Sequence, residues 1–307
     1  MVETSVIMAT YKESTECLKQ SIESIINQTY NDFEFIIILD NPDNKEHIAF
    51  INDYACKDER IKFYINDKNM GLTNTLNRGL ELAEGKYICR MDADDISELY
   101  RMEHQKKYLE ENNFDLIGGI SQMIDEDGNT IYSIKKVPTD FKKIKKCIKY
   151  NQVISHPTWF GKKEVFDKLN GYRNMPLCED YDFTLRAILQ GFKISNVNEC
   201  VLKYRMTKDS ISRSNLFEQY LFARYITKQY SEGKVSEVEE AKAYVKKNLS
   251  DKNAKHYLKG NERFNNALNN LEEKQYIQFI ANGIALLFTS KYYLDKIFRF
   301  VMVYLNS

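Results

Sequence analysis

The chain has 307 residues, with 44 basic side chains balanced by 44 acidic ones. That length can bury a full core in one large domain or two smaller ones, and zero net charge leaves no global field to draw the protein to nucleic acid. The six cysteines (Cys17, Cys56, Cys89, Cys147, Cys178 and Cys200) contain no Cys-x-x-Cys pair, which argues against a zinc site and fits a reducing compartment.

Thr4–Ala9 reads as the first strand, and no basic leader or cleavage site precedes it. A helix follows with Leu18, Ile22, Ile25 and Ile26 on one face. Phe33–Leu39 is a strongly apolar strand ending at Asp40. A helical stretch from Asn44 to Cys56 leads to the short strand Ile61–Ile65. Next comes a helix with Leu72, Leu76, Leu80 and Ala83 in line. Strands alternating with helices predict a mostly parallel sheet covered on both faces, an α/β fold. The first glycine is Gly71, which excludes a Gly-x-Gly-x-x-Gly turn or a Walker loop after the first strand. Classical dinucleotide dehydrogenases and P-loop ATPases are thereby set aside. What remains is a nucleotide-binding α/β fold that handles phosphates through a metal.

The next strand, Lys86-Tyr87-Ile88-Cys89-Arg90-Met91, runs straight into Asp92-Ala93-Asp94-Asp95. A strand end lies at the rim of a sheet, where α/β proteins keep their ligand sites. Two carboxylates there, Asp92 and Asp94, suit a hard divalent cation such as Mg²⁺ or Mn²⁺. The same residues also permit a structural reading, because Asp95 and Glu98 form a capping-box pattern and Ser97 could cap the next helix. Arg90 shares a sheet face with Asp92 and could touch ribose or phosphate, or simply pair with a carboxylate.

Leu116–Ile124 is strand-like, 126–129 is a turn, and Ile131–Ile134 returns as a short antiparallel strand. Phe141–Tyr150 reads as a basic helix and Ile154–Phe160 as extended chain, with Pro157 keeping it out of a helix interior. Glu179–Gln190 is helical, and Phe192–Val197 and Cys200–Tyr204 read as two short strands. From Arg213 the composition favours helices, so 1–212 is expected to be a catalytic domain and 213–307 an appendage of four or five helices. Its last segment, Tyr292–Leu305, could pack on its own protein or lie on a membrane surface. No uncharged apolar run reaches the ~18 residues of a membrane span.

Taken together, these residues resemble the inverting nucleotide-sugar glycosyltransferases of family 2, which have the GT-A fold. The resemblance runs from about Glu3 to Ser212. Val6-Ile7-Met8-Ala9-Thr10-Tyr11-Lys12-Glu13 is similar to the family's first strand and nucleotide-binding turn. Ile36–Asp40 resembles the second strand, whose terminal aspartate meets the base. This strand usually ends in two acidic residues, whereas here Asn41 follows Asp40. Asn69-Met70-Gly71-Leu72, Asn77, Gly79 and Ala83-x-Gly85-x-Tyr87 look like the stretch leading into the family's Asp-x-Asp motif, which places Asn69 among the donor contacts. Leu169-Asn170-Gly171-Tyr172 and Cys178-Glu179-Asp180-Tyr181-Asp182 resemble the segment carrying the catalytic base. The resemblance implies a Rossmann-like, mostly parallel central sheet flanked by helices. It also implies Mn²⁺ or Mg²⁺ as cofactor, and the cytoplasmic face of the membrane as the place of work. The acceptor would be a glycan or lipid-linked oligosaccharide in bacterial capsule, exopolysaccharide or lipopolysaccharide synthesis.

Residue by residue, Asp94 with Asp92 would hold the metal against the leaving diphosphate. Asp180 is the candidate general base, with Glu179 as its neighbour; the alternative is that both only load a helix N-terminus with favourable charge. Thr10, Tyr11 and Glu13 after the first strand and Asp40 after the second line a crevice for the nucleoside. Asp40 could accept from the imide N–H of uracil, which favours a UDP-hexose or UDP-N-acetylhexosamine. His156 reads either as structural or as a donor- or acceptor-site contact, and Trp159 as core or as a sugar platform. Tyr204-Arg205 with Ser210-Ile211-Ser212 resembles a basic loop that closes the donor site, where Arg205 would grip the diphosphate. Two rival readings stay open: a non-catalytic nucleotide-sugar- or glycan-binding component, and a sugar-nucleotide nucleotidyltransferase, which the missing Gly-rich loop opposes.

Overall fold

A computed structural model describes residues 2–207 and 215–307. The described chain forms two compact units. One is built from residues 2–145, 152–174 and 179–207, the other from 146–151, 175–178 and 215–307. The expected boundary at 212, and Ser210-Ile211-Ser212 with it, lies outside the described residues.

The first unit opens with β1 (Thr4–Thr10), α1 (Thr15–Ile26), β2 (Phe33–Leu39), α2 (Lys45–Lys57), β3 (Ile61–Ile65), α3 (Leu72–Leu82) and β4 (Tyr87–Asp92). These four strands lie side by side in parallel, in the order β3-β2-β1-β4. Every residue of β2 is buried, as its apolar run Phe35–Leu39 requires of a strand covered on both faces; the one acid, Glu34, is satisfied by Ser5 Oγ at 2.6 Å and the Glu84 N–H at 2.8 Å. Ser14 and Asn44 cap α1 and α2 by accepting the backbone N–H of Cys17 and His47. Leu18, Ile22 and Ile25 of α1 pack on Val6, Met8, Phe35, Ile37, Cys89 and Met91 in one core. On α3, a Cβ at Gly79 would fall 2.5 Å from Ile7 Cγ2, so glycine there lets the helix lie against β1.

Beyond β4 the sheet becomes mixed. The remaining elements are β5 (Ile96–Ser97), α4 (Arg101–Glu111), β6 (Leu116–Ile124), β7 (Thr130–Ser133), α5 (Phe141–Cys147), a 3₁₀ turn (His156–Thr158), β8 (Phe160–Lys162), α6 (Lys163–Lys168), α7 (Glu179–Leu189) and β9 (Ile194–Arg205). β8 lies antiparallel between β4 and β6, and β9 runs parallel to β6. The two strands expected over 192–204 are thus one strand, whose register slips between Gly118 and Ser121 of its partner. The segment expected to be extended over 154–160 contains the 3₁₀ turn, with Pro157 in its first turn, where a missing N–H costs nothing. Ser97 lies in β5 and caps no helix; α4 starts four residues later.

Asp182 ties α7 to the loop before it. Its carboxylate takes Arg173 through Nε at 3.0 Å and Arg186 through Nε at 2.8 Å. Arg186 in turn donates to the carbonyls of Leu169 (2.8 Å) and Gly171 (2.9 Å). Gly171 has φ of +65°, and a Cβ there would sit 2.4 Å from Asn77 Oδ1. That space is needed because Asn77 bonds both the N–H and the C=O of Tyr172, each at 2.8 Å.

The second unit contains α8 (Leu216–Ser231), α9 (Val238–Asn248), α10 (Asp251–Glu272), α11 (Tyr276–Leu287) and α12 (Lys291–Asn306). Phe217, Tyr220, Tyr257 and Tyr292 form an aromatic cluster with ring centroids 5.1–6.3 Å apart. On α11, Ile277, Ile280, Ile284 and the following Phe288 share one face and stay exposed, Ile277 by 82 % and Phe288 by 84 %. Among the described residues no helix is long and apolar enough to cross a membrane.

Removing the Asp182 carboxylate leaves Arg186 buried without its counter-charge. Asp182→Ala is expected to lower stability by ~3–5 kcal/mol, read as a shift of the urea midpoint at unchanged slope.

Candidate active site

The C-terminal ends of β1, β2 and β4 meet at one rim, with Ala9 paired to Asp92 and Thr10 to Leu39. After β1 the chain turns around Glu13, whose Oε2 accepts from Thr10 Oγ1 and from the N–H of Tyr11, both at 2.7 Å. Tyr11 is left with an exposed ring. After β2, the Asp40 N–H donates to the Thr10 carbonyl at 2.8 Å. The buried Asp40 carboxylate accepts from Asn66 Nδ2 (2.6 Å) and from the N–H groups of Met70 and Gly71, both at 2.8 Å. Asn69 Oδ1 also accepts from Gly71 N–H at 3.0 Å. Asp40 therefore fixes the loop before α3 and keeps one of its roughly four acceptor positions uncommitted.

Arg90 is 3 % exposed and forms an ion pair with Asp92, while its buried Nε has no protein partner. Burial works against its charge, yet Asp92, Tyr172 and Asp95 hold its pKa above the usual guanidinium value. Asp94 is pushed up to about 7, by burial first and then by the charges of Asp92 and Glu13. Asp95 is fully buried and is raised well above the ordinary carboxylate value by burial and by Asp92 and Asp94. Its Oδ1 accepts the Arg205 N–H at 2.8 Å, and this contact replaces the expected capping-box role.

Arg205 is itself buried. Its guanidinium reaches the carbonyls of Asp94 (2.8 Å), Asp125 (3.1 Å) and Glu126 (2.8 Å) and Gln20 Oε1 (2.6 Å). Most of its five donors thus serve the protein, joining the end of β9 to the carboxylate turn.

At the start of α7, Glu179 is pushed up to about 7 by burial and by Asp180. Burial also raises Asp180, partly offset by Gln152, whose Nε2 lies 3.3 Å from Asp180 Oδ2. The field of Arg90 reaches both carboxylates, as well as Asp94 and His156.

Among the described residues, no group of three or more His, Cys, Asp or Glu side chains is gathered in a way that could hold a metal. Asp92 and Asp94 supply oxygen donors only, and the like-charge crowding on Asp94 is what a cation relieves. This set fits a hard divalent ion that completes its shell with water and phosphate oxygens.

The sequence pattern described as Glycosyl transferase family 2 matches residues 5–169. The chain is 40% identical over 231 residues to an uncharacterized glycosyltransferase of Methanocaldococcus jannaschii, covering 75% of this chain and 80% of the relative. It belongs to glycosyl transferase family 2. The O-antigen biosynthesis glycosyltransferase WbnJ of Escherichia coli is 34% identical over 228 residues, 74% of this chain and 88% of that protein. Among solved structures, S. aureus TarS 1-349 in complex with UDP-GlcNAc superimposes with a TM-score of 0.60 at 17% identity, over 80% of this chain and 70% of that one. The Pyrobaculum calidifontis mannosyltransferase PcManGT, in complex with GDP-Man and Mn²⁺, gives 0.59 at 16% identity, over 79% and 69%. These two carry the fold alone, which is GT-A.

For this family 2 glycosyltransferase, the fold brings Thr10, Tyr11, Glu13, Asp40 and Asn69 to the adjoining ends of β1 and β2, and Arg90, Asp92 and Asp94 to the end of β4. Glu179, Asp180 and His156 share the field of Arg90. His156 Nε2 is 2.9 Å from the Tyr172 hydroxyl, with its ring edge-on to Trp159 at 4.6 Å. Trp159 is fully buried and packs on Phe183, so it is core and offers no platform to a sugar. Sequence reasoning missed Gln152 and Arg101. Arg101 is buried and donates to the carbonyls of Arg90 and Pro157. No motif announces either residue; apart from Gln105, which accepts from Arg101 Nε at 3.0 Å one turn on, their partners lie on other elements.

Burial and Arg90 push the His156 pKa well below the ordinary 6.5. The folded state therefore keeps it neutral while the unfolded chain protonates it near 6.5. Its stabilising effect is complete above that value and is lost as pH falls toward the folded pKa. His156→Gln is expected to flatten the loss of stability between pH 7 and pH 5, measured by urea denaturation at each pH.

Proposed function

We propose that this glycosyltransferase moves a sugar from a UDP-linked donor to a glycan or lipid-linked oligosaccharide, with inversion and with Mn²⁺ or Mg²⁺ as cofactor, in surface-polysaccharide synthesis. The observation that carries the reading is the pairing of two carboxylate sets around the buried Arg90: Asp92 and Asp94 at the end of β4, and Glu179 and Asp180 at the start of α7. Relatives named for O-antigen and amylovoran biosynthesis support the pathway class. The structures with UDP-GlcNAc and with GDP-Man and Mn²⁺ support a nucleotide-sugar donor and a metal.

In this reading Asp40 offers its uncommitted acceptor position to the imide N–H of uracil, and the exposed Tyr11 ring stacks on the base. Thr10 and Glu13 hold the turn that shapes the pocket, and Asn69 holds the loop facing it. Arg90, paired with Asp92, sets that carboxylate and lends its positive field to the donor. Asp92 and Asp94 would hold the divalent cation, which would supply Lewis-acid neutralisation of charge on the leaving diphosphate. Asp180 accepts the proton of the acceptor hydroxyl, its raised pKa making it a better base than an ordinary aspartate and Gln152 fixing its orientation. Glu179 beside it keeps the pair's charge crowded. Attack from the Asp180 side, opposite the leaving group, inverts the anomeric carbon. Arg205 is a positioning residue here, since its donors already hold the Asp94 carbonyl and the turn after β6. His156 sets the Tyr172 hydroxyl. Peripheral contact with a membrane through the C-terminal helices belongs to the same proposal, supported by the exposed apolar face of α11.

Calorimetric titration of UDP is expected to show binding that needs both Mn²⁺ and Asp94, lost in Asp94→Ala. Guanine carries a comparable ring N–H, so GDP is titrated alongside, and tighter binding of GDP would overturn the UDP assignment. Asp180→Asn is expected to keep UDP affinity while lowering turnover by ~10²–10⁴-fold. Unchanged turnover would remove Asp180 as the base.

A further inference from the structure

The helical unit carries a half-open cavity of about 360 Å³, a usual size for a small-molecule site. Four cations line it, Lys149, Arg224, Lys228 and Arg299, against one acid, Asp295. That acid makes all three of its contacts through Oδ2. It accepts from the Tyr220 hydroxyl at 2.7 Å, from Arg224 at 2.7 Å and from Arg299 Nε at 2.9 Å. Arg299 is held further by Thr227 Oγ1 and the Tyr150 carbonyl, at 3.1 and 3.3 Å. Asp295 thus offsets part of the arginine charge in the wall. The exposed Lys149 and Lys228 side chains make no ion pair or hydrogen bond among the described residues, so the lining carries uncompensated positive charge.

Apart from Thr227 and Ser231, the rest of the wall is aromatic. Tyr150 meets Phe298 edge-on, with centroids 6.2 Å apart, and Tyr225 packs on Tyr244 at 5.4 Å. The Tyr225 hydroxyl donates to Glu240 at 2.7 Å, which holds that ring in place. Aromatic surfaces of this kind suit the C–H faces of a sugar ring, and a cationic lining selects an anion. A metal ion or a basic peptide is repelled. A bare inorganic anion leaves the aromatic walls unused. The rings meet at 83° and 39° and form no parallel slot for a flat base.

We propose that this cavity binds an anionic saccharide, its ring against the aromatic pairs and its phosphate or carboxylate facing Lys149 and Lys228. The inference stands on the helical unit alone and is independent of the donor-site reading.

Saturation-transfer NMR and calorimetry on the full chain would use glucose 1-phosphate and glucuronate as probes, with methyl glucoside, inorganic phosphate and UMP as comparisons. Both anionic sugars are expected to bind, more weakly at 0.5 M than at 0.05 M salt; a response to only one of them identifies which anion the lysines take and supports the site. The Lys149→Glu/Lys228→Glu variant is expected to weaken that binding at least tenfold with UDP titration unchanged, and Lys149→Gln/Lys228→Gln to weaken it less. Binding retained in Asp94→Ala supports a site separate from the donor carboxylates. Binding lost in Asp94→Ala overturns the proposal, as do unchanged affinity in the lysine variants, no binding of either sugar, or equal or tighter binding of inorganic phosphate or methyl glucoside. UMP, which the donor site would take, is titrated on Asp94→Ala without metal, and equal or tighter binding there overturns the proposal too.

Discussion

Arg90 lies within β4, opposite Ile7 of β1, and a guanidinium so deeply buried is costly unless acids surround it. Its compensation comes mainly from Asp92, with weaker help from Asp95 and Tyr172. The same charge lowers the carboxylates of Asp94, Asp95, Glu179 and Asp180, which burial and mutual repulsion raise. It also opposes protonation of His156. One cation thus makes it possible to keep several acids close together beneath a sheet rim. Without it, the crowding would be relieved by proton uptake or by local rearrangement.

Neighbouring acids in this protein do different work, and geometry separates them. Asp180 and Asp182 are two residues apart on α7. Asp182 is closed by Arg173 and Arg186, whereas Asp180 has the amide of Gln152 beside one oxygen. Asp94 and Asp95 are adjacent, yet Asp95 points inward to the backbone of Arg205. In both pairs one acid is fixed by a cation or a backbone donor, and its neighbour is left with fewer protein contacts.

The parallel half of the sheet was legible because its inner strands are buried on both faces and are dominated by apolar residues; Phe33–Leu39 and the edge strand Ile61–Ile65 match residue for residue. The end of β4 at Asp92 was legible too, since a strand end is a local event. The single strand over 194–205 was not, because polar residues around a register slip interrupt its apolar pattern. Nor was the fate of Arg205, whose partners Gln20, Asp94 and Asp125 come from three distant stretches. Asp182 with Arg186 was within reach, being an acid and a base at i,i+4 on a helix. Gln152 carried no such signal.

The helical unit does not begin where the catalytic sequence ends. Residues 146–151 and 175–178 already belong to it. Cys147 reaches the Val303 carbonyl, Arg299 reaches that of Tyr150, and Gln219 that of Leu177. The C-terminal helices are therefore not a cassette. A lineage that exchanged them for another appendage would have to rewrite two short inserts inside the catalytic sequence in the same step, which ties the evolution of the two units together.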